Sequence, residues 1–185
     1  MSINQFAGSA DRTWVHPWDT VPFEDRPVWV LDPLRQIGPL QFAASMDTVE
    51  ELMGPWSSHG GYQDGPQQTR FGSKGVTCYS YEGRLCAVVV DASRGPRVTL
   101  DRFELVGQTP SQVDAWLLQY CQSRGMELLL NQHCDPCTDA LGLIVRGQRS
   151  HDIVLTRVVA VCEDWADRCG DTSEGWIPDS EWNYW

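Results

Sequence analysis

Positive charge is scarce in this chain. Fourteen Lys and Arg stand against 25 Asp and Glu, a net charge of -11. Binding nucleic acid through its phosphates needs a surplus of cations on at least one face, so the balance argues against that partner and favours a basic one. Long apolar runs are also missing. No window approaches the roughly 18 apolar residues of a membrane span, and Met1 to Ser9 shows no basic run followed by an apolar core. The expectation is a cytoplasmic protein with no membrane partner. Cysteines number seven, an odd and scattered set that fits reduced thiols better than a disulfide framework. Motifs that announce chemistry are absent as well. There is no nucleophile elbow, no His-Glu-x-x-His, no phosphate loop, and no His-x-Glu with a Pro-Cys-x-x-Cys. No catalytic residue and no cofactor is therefore predicted.

What is present describes a folded domain. Hydrophobic residues make up 42% of the chain and charged residues 21%, close to globular averages. At 185 residues, one domain spanning 1–185 is the expectation. Residues 1–36 carry Trp14, Trp18 and Trp29 among prolines at 17, 22, 27 and 33, which rule out a long helix. They read as an extended arm packed by its tryptophans, with Val28 to Leu31 as an edge strand.

The stretch from Ile37 to Gly54 organises the rest. It reads as a short strand leading into a helix capped by Ser45, with Asp47 and Glu50 near the positive end of the helix dipole. Ala44 and Val49 stand at the positions of a hydrophobic staple, Val49, Leu52 and Met53 form the expected buried stripe, and Gly54 ends the helix. Residues 55–75 look like a long connection around His59, Tyr62 and Asp64, of a length that is often functional. Val76 to Tyr81 and Arg84 to Asp91, joined at Glu82-Gly83, form a hairpin whose second run is a central strand. Arg97 to Leu105 reads as a further strand.

The second helix starts at Thr109, with Pro110 in its first turn and Gln112 completing a capping box, and closes at Gly125. Val113, Trp116, Leu117, Tyr120 and Cys121 fall on one face, which must lie on a sheet. Strands follow at Met126 to Leu130, Leu141 to Arg146 and Asp152 to Cys162. Strands outnumber helices and short turns join them. The predicted class is α+β, mainly antiparallel sheet with two short-to-medium helices packed on it.

Glu163 to Trp185 differs in kind. Seven acids and one arginine, a balance of -6, are interleaved with Trp165, Trp176, Trp182, Tyr184 and Trp185. Aromatic anchors among like charges suit an interface steered toward a basic partner, and the other reading is a segment packed back on its own sheet. The candidate partner-binding residues are Glu163, Asp164, Trp165, Trp176, Asp179, Glu181, Trp182 and Trp185. A zinc reading rests on Cys134-x-x-Cys137 with Cys162 and Cys169. A structural zinc site wants a compact second pair, and here six residues intervene, so no metal site is predicted. A dispersed enzyme site around His59 or His133 with nearby acids stays open as an alternative, as does a protein-binding adaptor.

Ile37-Gly-Pro-Leu40, the capped helix with its central Val49, and the closing Gly54 resemble a pattern frequent in small actinobacterial acidic proteins of the immunity-protein type. Leu105 to Val113 with its helix and Leu141 to Val145 look like the later parts of that pattern. The resemblance covers roughly 37–54 and 76–161. Ala43-Ala44 departs from it, standing where Gly-Met is usual. It implies an antitoxin that binds and occludes the active site of a cognate, basic polymorphic toxin, such as a nuclease or a nucleotide- or NAD-consuming enzyme, as a 1:1 complex.

Overall fold

The computed structural model describes residues 20–61 and 65–170. They form an α+β architecture with two helices and two sheets, as the alternation of short β-rich runs and tight turns predicts. The chain starts with β1 (Val28–Asp32), β2 (Gln36–Ile37) and β3 (Leu40–Gln41), then α1 (Met46–Met53). β4 (Ser58–Gly61), β5 (Gln67–Phe71), β6 (Val76–Tyr81) and β7 (Arg84–Val90) follow. Next come β8 (Arg97–Leu100), β9 (Phe103–Glu104) and α2 (Pro110–Arg124), and then β10 (Leu129–Leu130), β11 (Pro136–Thr138), β12 (Leu143–Ser150) and β13 (Ile153–Val161).

The large sheet has the order β10-β11-β12-β13-β7-β6-β5-β4, every pair antiparallel. A helix followed by four strands occurs twice along the chain, and the two sets meet with their last strands, β7 and β13, side by side. Each set has a 3-10 turn between its second and third strands, ending at Gly75 or Gly142, both left-handed at φ 61° and 55°. A Cβ on Gly75 would lie 2.4 Å from the Gly95 nitrogen, and one on Gly142 2.7 Å from the Val161 carbonyl. Only glycine fits either place.

β1 corrects an expectation. It is the middle strand of the smaller sheet, order β3-β2-β1-β8-β9, antiparallel to β2 and parallel to β8. Nothing in the run Val28-Trp-Val-Leu31 marks partners on both sides; Leu31 is buried and Trp29 half-buried, while Val28 and Val30 face solvent. Arg26 holds the chain before β1. It is buried, with Nε donating to the Val21 carbonyl at 2.9 Å and Nη1 to the Ala92 carbonyl at 2.7 Å. Trp14 and Trp18 lie outside the described residues.

Ile37-Gly-Pro-Leu40 is itself a hairpin, with Ile37 opposite Leu40 and both at 0% exposure, so the single strand expected there is two. The stretch then locks onto β7. Ala43 N–H donates to the Leu85 carbonyl at 2.8 Å, Leu85 N–H to the Ala44 carbonyl at 2.9 Å, and Met46 N–H to the Gly83 carbonyl at 3.1 Å. Ser45 caps α1, its hydroxyl accepting from Thr48 N–H at 3.3 Å. Val49 and Met53 are buried and Met46 is half-buried, but Leu52 is 50% exposed. A helix of eight residues against one strand buries only a narrow stripe, and Leu52 lies on its flank.

α2 keeps the predicted face. Val113, Leu117 and Cys121 are buried against β12 and β13, and half-buried Trp116 stacks on Phe103 with ring centroids 4.3 Å apart. Its start differs. The Thr109 side chain makes no capping bond; instead Gly107 N–H donates to the Thr156 carbonyl at 2.8 Å and Thr156 N–H to the Gln108 carbonyl at 2.9 Å, tying the entrance to β13. The expected strand at 97–105 is the hairpin β8-β9, turned at Asp101-Arg102, both at positive φ, without a glycine to signal it. The connection at 55–75 is largely a further hairpin, β4-β5, with Tyr62 and Asp64 outside the described residues.

Ala43 has φ 63°, a left-handed backbone that costs a non-glycine residue about 1 kcal/mol. The departure noted in the sequence thus falls where glycine is favoured. Ala43→Gly is expected to raise unfolding free energy by up to about 1 kcal/mol in urea titration, and Leu117→Ala to lower it by roughly 3 kcal/mol.

Candidate functional site

The candidate partner-binding residues divide three ways. Trp176, Asp179, Glu181, Trp182 and Trp185 lie outside the described residues. Trp165 does not contact solvent as an anchor would. It is 2% exposed within the 3-10 helix Glu163–Arg168, its N–H donating to the Cys162 carbonyl at 3.1 Å, and so belongs to the core. Glu163 and Asp164, at the start of that turn, are exposed.

The turn brings further acids into one neighbourhood that the sequence did not mark. It packs against the 3-10 turn Asp139–Leu141, which precedes β12. Asp139, half-buried, sits in the fields of Asp167 and of Glu127, which precedes β10. Burial and these two like charges push its carboxyl above the ordinary carboxylate range. The Asp167 side chain is 80% exposed, and Leu130, three residues after Glu127, is 68% exposed. Carboxylates crowded near one edge of the large sheet make a surface that can dock on cations. The signal was dispersed: Glu127, Asp139 and Asp167 become neighbours only when β10, the turn before β12 and the turn after β13 are assembled.

A second polar cluster lies at the far end of the β7–β13 seam. A cavity of about 70 Å³ is lined by Arg70, Thr77, Asp91, Arg94, Gln148 and Arg157, among others. Asp91 is its hub. Oδ1 accepts from Ser93 N–H at 2.9 Å and Arg94 N–H at 3.0 Å, and Oδ2 accepts from Arg94 Nη2 at 3.3 Å and Gln148 Nε2 at 3.0 Å. Burial alone would raise the Asp91 carboxyl, but Arg94, the Gln148 amide and the Ser93 N–H outweigh it and hold the group below the usual range. Gln148 in turn accepts from Ala92 N–H at 3.0 Å. The network joins the end of β7 to β12 and is structural.

Histidines do not converge. His59 on β4 shares a hydrogen bond with Thr69 Oγ1 at 2.9 Å, His133 lies near the opposite edge of the sheet, and His151 turns between β12 and β13. His16 lies outside the described residues. His133-Cys-Asp-Pro-Cys137 is a loop organised by buried Asn131, whose Oδ1 accepts from the His133 and Asp135 N–H groups at 2.9 and 3.0 Å. Buried Asp135 pairs with Arg146 Nε at 2.8 Å. Cys134 points outward and Cys137 is buried, its thiol pushed up to about 11 by burial and by Asp139 and Asp135. Cys137 neighbours Cys169, whereas Cys162 lies against Cys86, so the four thiols of the zinc reading are split between two places. Among the described residues no three His, Cys, Asp or Glu side chains group to hold a metal ion.

No family model, curated protein or solved structure matches the chain. Among the described residues no helix is long and apolar enough to cross a membrane.

Two substitutions separate the clusters. Asp91→Asn is expected to lower stability at pH 7 by on the order of 2 kcal/mol, since it removes charge-assisted hydrogen bonds. A depressed carboxyl stabilises above its unfolded pKa, so the deficit should close as pH falls through the acid range in urea melts. Asp139→Asn should do the reverse. A raised carboxyl disfavours the folded state once ionised, so the variant's Tm should exceed the parent's at pH 7, with the gain vanishing below the carboxylate range.

Proposed function

We propose that the chain is an immunity protein: a cytoplasmic antitoxin that binds a cognate, basic polymorphic toxin one-to-one and occludes its active site. The toxin on this reading is a nuclease or a nucleotide- or NAD-consuming enzyme, whose active-site cleft carries positive charge to hold phosphates. The observation that supports it is the crowding of Asp139 by Asp167 and Glu127, with exposed Glu163 and Asp164 on the same 3-10 helix as Asp167. Like charges held near one another in the free protein raise its energy, and a cationic surface that docks there relieves the repulsion. The net charge of -11 adds long-range steering, which makes association fast and sensitive to salt. The resemblance of the Ile37 to Gly54 stretch to small acidic immunity proteins points the same way.

The test has two parts. A tagged chain is used to capture its partner from native cells, and the captured protein is assayed for enzymatic activity with and without the chain. A basic enzyme that the chain inhibits is expected. The variant Glu163→Lys, Asp164→Lys, Asp167→Lys should then slow association at least roughly tenfold at low salt, with a smaller effect at high salt. Unchanged affinity and salt dependence in the triple variant would remove this edge as the contact surface, and a captured protein that the chain does not inhibit would remove the antitoxin reading.

A further inference from the structure

The large sheet sets two thiols opposite each other where its two halves meet. β7 and β13 run antiparallel with Val161 opposite Ala87, so the next pair along the seam is Cys162 and Cys86. Cys162 N–H donates to the Cys86 carbonyl at 2.7 Å. Cys86 is the extra residue of a β-bulge against β6; across the seam, opposed residues of an antiparallel pair lie with Cα atoms about 4.5 to 5.5 Å apart. That spacing lies inside the range of about 4.4 to 6.8 Å that a disulfide bridges without moving the backbone. The two thiols interact with each other, both are free, and Cys86 Sγ also donates to the Arg84 carbonyl at 3.4 Å.

Their surroundings assign them different tasks. Cys86 is half-exposed, so a small oxidant reaches it, whereas Cys162 is buried. The Cys162 thiol donates toward the Cys86 sulfur and lowers the pKa of Cys86 against the opposing effects of burial and Asp164. Cys162 is itself held protonated, by that hydrogen bond first and by burial second. An accessible thiol opposite a buried one is the arrangement of a reactive and a resolving cysteine. Among the remaining thiols, Cys78, Cys121, Cys137 and Cys169 are buried, and burial raises the pKa of each. Cys134 is exposed.

We propose that Cys86 and Cys162 form a peroxide-responsive pair that closes to a reversible disulfide. The Cys86 thiolate attacks one oxygen of hydrogen peroxide, the O–O bond breaks, and hydroxide leaves and takes up a proton as water, giving Cys86 sulfenic acid. The Cys162 sulfur then attacks the Cys86 sulfur, the S–S bond forms, and the S–O bond breaks, its oxygen leaving as water with the Cys162 proton. Two thiols lose two electrons and one peroxide becomes two waters. The bond lies at the root of the 3-10 helix that carries Glu163 and Asp164, because Cys162 is the residue before it. Closing it pins that turn to the end of β7. The proposal does not depend on the identity of any partner.

The full chain is treated with hydrogen peroxide under native conditions, alkylated, digested without reductant and mapped by mass spectrometry. A linked peptide pair containing Cys86 and Cys162, two hydrogens lighter than the reduced pair and lost on adding dithiothreitol, is the expected result. Cys162→Ser should abolish the link and leave Cys86 as a sulfenic acid that a cyclic 1,3-dione traps. Cys86→Ser should abolish both the link and that adduct, with native circular dichroism showing that each variant is folded. Full alkylation of both cysteines at a peroxide dose that oxidises Cys134 would overturn the proposal, as would a link from Cys86 to any other cysteine or trapping at Cys162 in place of Cys86.

Discussion

The antiparallel seam between β7 and β13 is the contact on which the rest depends. Four register pairs, from Val158 with Val90 to Val161 with Ala87, join two sets of four strands that are far apart along the chain. The side chains at the seam are almost all buried, Val88, Val90, Val158, Val159 and Val161 among them. β-branched residues suit this place, because a strand covered on both faces needs rigid apolar side chains that pack against cross-strand neighbours. Burying them contributes on the order of 1.5 to 3 kcal/mol each. The seam also ends in chemistry at both extremities: the Asp91 network at one, the Cys86 and Cys162 pair at the other.

Around the seam, each helix entrance is tied to the sheet by backbone bonds. The turn before α1 bonds to Gly83 and Leu85 at the start of β7, and the turn before α2 bonds to Thr156 of β13. The two central strands therefore hold the sheet together and also set the helices over it. Loss of packing at the seam would be felt in both halves. Glu163 and Asp164 follow directly on its last residues, while Glu127 and Asp139 lie toward the β10 edge. These carboxylates stand at exposed or half-buried positions outside the packed core, where like charges cost far less than buried ones.

Much of the local structure could be read from residue order. The Glu82-Gly83 hairpin was legible from its turn, the Ser45 cap from its place before an apolar periodicity, and the buried face of α2 from the spacing of Val113, Leu117 and Cys121. The readings that failed did so for identifiable reasons. Asp101-Arg102 turns without glycine, so β8 and β9 looked continuous. β1 opens with four apolar residues in a row, a pattern that does not tell an edge strand from one paired on both sides. Trp165 looked like an exposed anchor because its neighbours are acidic, yet the 3-10 helix turns its ring inward.

The candidate sites were less legible than the fold. Glu163 and Asp164 were marked by composition, but Glu127, Asp139 and Asp167 come from separate elements and carry no shared spacing. The same holds for Cys86 and Cys162, separated by most of the second half and adjacent only through the β7–β13 register. By itself the sequence determined the class, the two helices, the Glu82-Gly83 hairpin and the acidic charge, because propensity, periodicity and turn chemistry act over a few residues. The meeting of two similar halves, the crowding of acids at one edge and the pairing of two thiols were decided by the tertiary structure alone. Strand register is a long-range choice, made by which apolar faces can be buried together.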